Sequence, residues 1–420
     1  MFKIDTLSNG LRIIRVPMKN TKAVTVLVLV AAGSKYEDKR TNGISHFLEH
    51  MFFKGTEKRV TPLDVSETLD KIGGRYNAFT GEEFTGYWAK VDARHQGVAL
   101  DWVSDIFLNS CMPAEEIKKE KGVIIEEMNM YLDTPLLYIE DVWKKLLYGD
   151  QPAGWPIIGS KKNVLSFEKK DFLNYLAKHY TASKTVVVLA GNIKREALKD
   201  VKKYFRGIRK GPVRKKRKVI EKQNKPKSLI EYKRTDQTHL SLGVRGYSLF
   251  QKERYAQTLL AIILGGNMSS RLFTKIRGER GLAYYIRTTD ESFSDSGYLT
   301  SQAGVPHKNL GEVIKLILEE YKRVKKEGIK EEELQKAKDY LKGTTVLSME
   351  SSDAQASFYG SQALLLNKVL SLEEKFKQIN KVKKKDIESI AQEIFRAQGL
   401  NLALIGPHNN RSKINTLLKI

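Results

Sequence analysis
Apolar residues recur along this chain with two periods, and the elements change where the period changes. Ile44, Phe47, Leu48, Met51 and Phe52 fall at i, i+3, i+4, i+7 and i+8, the stripe of an amphipathic helix. After Pro113, the positions Ile117, Glu120, Ile124, Glu127 and Tyr131 make a second helical stripe, this one mixing aliphatic with acidic residues. Arg254–Leu264 reads as a more uniformly apolar helix that runs into Gly265 and Gly266. Strand character appears in Val24–Val30, Thr85–Val91 and Thr185–Leu189, and Tyr76, Ala78 and Thr80 alternate after Gly73-Gly74. Helices and strands interspersed in this way predict an α+β or α/β chain.

The helix at residues 44–52 carries the first candidate chemistry, His46-Phe47-Leu48-Glu49-His50. Residues four apart share a helix face, so two imidazoles one turn apart can converge on a zinc ion. Glu49 stands beside them, where a carboxylate can take a proton from a metal-activated water. The chain has 7 His. The other five (His95, His179, His239, His307 and His408) are isolated, so the pair is not a product of composition. Catalytic zinc keeps three protein ligands and an open position. Glu120 and Glu127, two turns apart on one face, both qualify for the third: one could ligate while the other orients a histidine.

The His-x-x-Glu-His order, followed far downstream by Glu127, resembles the signature of the insulinase/pitrilysin family of zinc metallopeptidases. That family includes the mitochondrial processing peptidase and insulin-degrading enzyme, and this chain is similar to its short two-domain bacterial type. The resemblance implies His46, His50 and Glu127 as ligands of one zinc per chain, Glu49 as general base and Glu120 as the acid that orients a ligand. It extends to Asn77-Ala78-Phe79-Thr80, which in the family is an edge strand that takes up substrate as an added strand. It assigns Phe53 to the pocket for the residue after the scissile bond. It also reaches Arg277 and Tyr284, donors suited to a developing oxyanion. In the glycine turn before that pair, Asn267 stands where a third glycine is usual, a mild departure because Asn tolerates left-handed backbone. Of the two fold classes, the resemblance selects α+β: two similar lobes, each a mostly antiparallel sheet with packed helices, closing as a clam-like chamber. The assembly implied is a homodimer with composite sites acting on unfolded peptides or short polypeptides.

Length and charge refine this picture. The chain has 420 residues, enough for two domains. Residues 209–228, dense in Lys and Arg and carrying Pro212 and Pro226, read as a basic linker between 1–208 and 229–420. On the far side, the helix Arg254–Leu264 is the expected counterpart of the His46 helix, with apolar residues in place of ligands. The net charge is +24. The run Arg214–Lys218 would suit an anion or nucleic acid, but no aromatic residues interleave it, so a solvated linker is expected and nucleic acid is not. A non-catalytic partner subunit is the remaining alternative, and the fully occupied ligand positions argue against it. The lone Cys111 excludes an internal disulfide and reads as a structural residue. No apolar leader opens the chain, and the longest apolar run, residues 23–32, is too short to span a membrane. A soluble cytoplasmic protein is expected.

Overall fold
The computed structural model describes residues 2–211, 215–366 and 368–419. Pro212 and Arg214, two markers of the expected linker, lie outside them. The strands are β1 (Lys3–Thr6), β2 (Arg12–Pro17), β3 (Ala23–Val30), β4 (Arg75–Thr80), β5 (Thr85–Asp92) and β6 (Thr185–Gly191) in the first half. The second half supplies β7 (Lys227–Tyr232), β8 (Thr238–Arg245), β9 (Tyr285–Ser292), β10 (Gly297–Val305) and β11 (Asn401–Gly406). They form a six-stranded sheet ordered β1-β2-β6-β3-β5-β4 and a five-stranded sheet ordered β7-β11-β8-β10-β9. With β1 set aside, the two orders are the same. In each, the first and last strands pair in parallel, β2 with β6 and β7 with β11, and every other pairing is antiparallel. The α+β expectation of two similar lobes therefore has a topological form: one pattern of strands used twice.

Helices follow the same repeat. The first half carries α1 (Ile44–Met51), α2 (Pro62–Asp70), α3 (Gln96–Asn109), α4 (Ala114–Asp133), α5 (Pro135–Tyr148), α6 (Lys161–Ser166), α7 (Lys169–His179) and α8 (Ala197–Tyr204). The second carries α9 (Arg254–Gly265), α10 (Leu310–Glu327), α11 (Glu331–Ser348), α12 (Ser352–Leu366), α13 (Leu372–Lys381), α14 (Lys384–Ile394) and α15 (Arg411–Asn415). Both sheets are covered on two faces. On β3, Val24, Val26, Val28 and Val30 enter a core shared with α1, α3 and α7, whereas Leu27 and Leu29 point the other way. This explains why β3 reads as an unbroken apolar run rather than an alternating one.

The opposite faces are covered by exchange. Leu27, Leu29, Val186 and Val188 pack against Ala356, Tyr359, Ala363 and Leu364 of α12, a helix from the second half of the sequence. Gly360 permits the approach: a Cβ there would stand 2.7 Å from Leu29 Cδ1. The buried pair Thr25 Oγ1 and Ser352 Oγ, 2.8 Å apart, fixes one end. In return, Ile139, Val142, Trp143 and Leu147 of α5, from the first half, pack on Tyr298, Ala403 and Ile405 of the second sheet. The two compact units are accordingly discontinuous, one comprising residues 1–129, 155–217 and 346–371, the other 130–154, 218–345 and 372–420. No helix among the described residues is long and apolar enough to cross a membrane.

Candidate metal centre
The helix α1 is eight residues long and buries Ile44, Phe47, Leu48 and Met51. Burying that stripe turns the remaining face outward, and His46, Glu49 and His50 occupy it. The two imidazole rings lie 4.8 Å apart, centre to centre. From α4, the Glu127 carboxylate reaches both of them: Oε1 is 3.6 Å from His46 Nε2 and Oε2 is 3.5 Å from His50 Nε2. One ligand atom from each of the three residues can be chosen so that all lie within 4.8 Å of one another. A tetrahedral zinc with bonds near 2.0–2.1 Å needs neighbouring ligand atoms about 3.3 Å apart, so a small closure of this triangle suffices. Glu127 Oε2 is buried with no hydrogen-bond partner among the described residues. With each carboxylate oxygen of Glu127 turned to one imidazole nitrogen at 3.5–3.6 Å, longer than a hydrogen bond, the arrangement fits a cation held between them.

Glu120 separates from Glu127 in role as soon as its contacts are drawn. Its Oε1 lies 2.9 Å from His50 Nδ1 and its Oε2 2.7 Å from Lys54 Nζ. A carboxylate on Nδ1 fixes the proton there and leaves Nε2 free for a metal. The side chain is only 5% exposed, so two cationic partners stabilise a charge that burial would otherwise disfavour. His46 Nδ1, by contrast, is buried with no hydrogen-bond partner among the described residues. Lys54 was not visible as a candidate from the sequence, although its spacing one turn beyond His50 is the signal that could have found it.

The charges are strongly coupled. Facing His46 and His50, and against the opposing effect of burial, the Glu127 carboxyl is held down to about 2. Burial opposes a charge on His50, but Glu120 and Glu127 outweigh it and push its pKa up to about 9. In the metal-free protein His50 therefore carries a proton at neutral pH that a metal must displace, while Glu127 is already ionised. Zinc uptake at pH 7 is expected to release close to one proton from His50. Apparent affinity should rise about tenfold per pH unit up to about pH 9. Calorimetric titration in two buffers of different ionisation enthalpy counts that proton, and a count near zero would contradict the pairing.

Glu49 is oriented by Thr80, whose Oγ1 donates to Glu49 Oε2 at 2.6 Å. Thr80 ends β4, the edge strand of the first sheet. The rest of that strand alternates: Asn77 is exposed, Ala78 is buried, and Phe79 is half-buried with its ring edge-on to Phe84. Phe53 lies past the end of α1, in the turn that follows it, and packs beside Tyr76 and Trp102 at 6.3 and 6.0 Å between ring centres. In the second unit, Arg277 sits in a short π-helix (Phe273–Gly278) and stacks over Tyr284 at 5.8 Å. Tyr284 is 74% exposed, so its hydroxyl is open to solvent.

Residues 12–161 match the family described as Insulinase (Peptidase family M16), and residues 166–341 match the Peptidase M16 inactive domain. A Bacillus subtilis protein named as the uncharacterized zinc protease YmxG is 37% identical, covering 98% of this chain and 99% of its own length. The chain belongs to the insulinase family, peptidase family M16. A Rickettsia bellii member, also named as an uncharacterized zinc protease, is 35% identical over 97% of this chain and 98% of its own. The fold is shared with a Helicobacter pylori protease whose crystal structure covers 97% of this chain and 99% of its own (TM-score 0.89, 23% identity). It is also shared with a chain of complex III2 from Candida albicans, covering all of both chains (TM-score 0.85, 20% identity).

The internal repeat gives the inactive half of the family match a physical meaning. Setting Ala114 of α4 against Glu331 of α11 places Ile117 and Ile124 opposite Leu334 and Leu341, all four packed on core residues. Glu120 and Glu127 then fall opposite Ala337 and Thr344. The second copy keeps the apolar stripe of the M16 helix and lacks both acids.

Proposed function
We propose that the protein is a zinc metalloendopeptidase that hydrolyses unfolded peptides or short polypeptides. The observation that carries this reading is the convergence of His46, His50 and Glu127 beside a Glu49 held by Thr80. Zinc bound by the three would polarise a substrate carbonyl and make water a competent nucleophile near neutral pH. The Glu49 carboxylate then accepts the proton of the attacking water and returns it to the leaving amine. Glu120 and Lys54 keep His50 in the tautomer that presents Nε2. The open edge of β4 supports a substrate laid down as an added strand, with main-chain groups supplying affinity and little sequence demand. Phe53 favours an apolar side chain after the scissile bond.

In the same proposal Arg277 and Tyr284 donate to the carbonyl oxygen as it gains charge, the protein works as a homodimer with composite sites, and it acts in the cytoplasm. Arg277→Ala is expected to lower kcat about a hundredfold without changing zinc content, and steady-state kinetics on a quenched peptide checks it. The test of the whole reading is cleavage of unstructured quenched peptides by protein of measured zinc content. Cleavage that a chelator abolishes and zinc restores supports a peptidase. Zinc-loaded protein that cleaves none of them overturns it.

A further inference from the structure
We infer that Glu37, a residue outside the metal-binding motif, is a positioning residue for the metal centre: its carboxylate clamps the first turn of α1 and thereby sets His46. The inference rests on the reading of His46, His50 and Glu127 as a metal site. Glu37 is 3% exposed. Its Oε2 accepts from the backbone N–H of Gly43 at 2.9 Å and from Asn42 Nδ2 at 3.1 Å, and its Oε1 accepts from the backbone N–H of Ser45 at 2.9 Å. Gly43 is the N-cap of α1 and has no side chain to cap with, so the donors at this end must be satisfied from elsewhere. Glu37 satisfies two of them and places a carboxylate at the positive end of the helix.

The need for such a clamp follows from length. At eight residues α1 has about two turns, too few to be stable alone, and both histidines lie within them. His46 follows Ser45 directly, so a shift of the Ser45 amide moves the imidazole. The surroundings leave this end little freedom. Gly43 has φ +100°, and a Cβ there would lie 2.8 Å from Ile158 O. Asn42 also donates to Pro156 O at 3.0 Å, and Ser45 Oγ meets Tyr175 Oη at 2.8 Å. Among these contacts Glu37 alone joins both sides of the Gly43 turn that leads into the helix.

The test compares wild type, Glu37→Gln and a core variant of the second unit, Ile317→Val, as a control for general destabilisation. A carboxamide keeps the size but cannot accept from both backbone amides with both of its polar atoms. In metal-free protein, hydrogen exchange over residues 43–47 is expected to quicken at least tenfold in Glu37→Gln, with the second unit's sheet unchanged. Zinc should bind about ten to a hundred times more weakly, and the visible absorption bands of the cobalt-substituted protein should shift. Unchanged exchange at residues 43–47 overturns the inference. So does a loss of protection spread evenly over the unit, or a zinc affinity reduced no further than in Ile317→Val. If Glu37→Gln does not fold, Glu37→Asp, which is too short to span both amides, undergoes the same comparison. If wild type binds no zinc, the peptidase reading fails on that measurement, and a metal centre for Glu37 to position fails with it.

Discussion

Glu49→Gln is expected to cut peptide cleavage about a thousandfold while the protein still takes up close to one zinc per chain. The substitution is a narrow one. The Gln oxygen can still accept the hydroxyl of Thr80, which donates to Glu49 Oε2 at 2.6 Å, so the side chain keeps its place. None of His46, His50 and Glu127 is touched. What is lost is a group that can hold a proton during attack on the carbonyl. Zinc by metal analysis and single-turnover cleavage by wild type and variant separate binding from chemistry. Cleavage within about tenfold of wild type would remove Glu49 from the base role. A parallel loss of zinc would instead make Glu49 part of the metal's support.

The second large effect concerns folding. Residues 1–217 produced alone are expected not to fold, and to fold when residues 218–420 are produced with them. The first unit needs α12 to cover Ile14, Leu27, Leu29, Val186 and Val188. Burial of such side chains contributes roughly 1.5–3 kcal/mol each, so their joint exposure is of the order of a whole domain's stability, about 5–15 kcal/mol. The short fragment also carries α5 with Ile139, Val142, Trp143 and Leu147 and no sheet to set them on. Near-ultraviolet circular dichroism and size-exclusion chromatography of each half and of the pair decide the matter. A monomeric, cooperatively unfolding 1–217 fragment would show that the exchanged helix is dispensable.

Different parts of this architecture stood at different depths in the sequence. The histidine pair is local: two residues four apart beside an apolar stripe declare a shared face without any tertiary knowledge. The acids were harder, because Glu120 and Glu127 share a face and spacing alone treats them alike. The family resemblance assigns the ligand to Glu127, but the physical distinction between the carboxylate that faces both Nε2 atoms and the one behind Nδ1 comes from the packing of α4 on α1. The second copy of the fold was visible in outline through Arg254–Leu264, whose burial pattern matches an apolar helix behind a strand. The exchange of α5 and α12 left no mark, since periodicity says that a helix buries one face and not which sheet receives it. Glu37 was equally hidden. Its partners are main-chain amides, and main-chain amides have no pattern in a sequence. Phe53 came from the resemblance alone, and its setting was hidden: the helix stops at Met51, so the residue lies in the turn beyond it with its ring beside Tyr76 and Trp102.

The strand order has a consequence for how the protein is made. In each sheet the strand synthesised last is inserted between earlier ones: β6 between β2 and β3, and β11 between β7 and β8. A ribosome that has delivered everything up to residue 400 has therefore produced a second sheet with a gap at its inside rather than a short edge. Such a nascent chain exposes two rows of unpaired backbone facing each other, and pairing across so long a stretch of sequence is intrinsically slow. A premature stop before β11 would thus act as a lesion inside the sheet, one strand in from its edge. Proofreading proteases would meet the truncated product as an unfolded protein, not as a slightly shortened one.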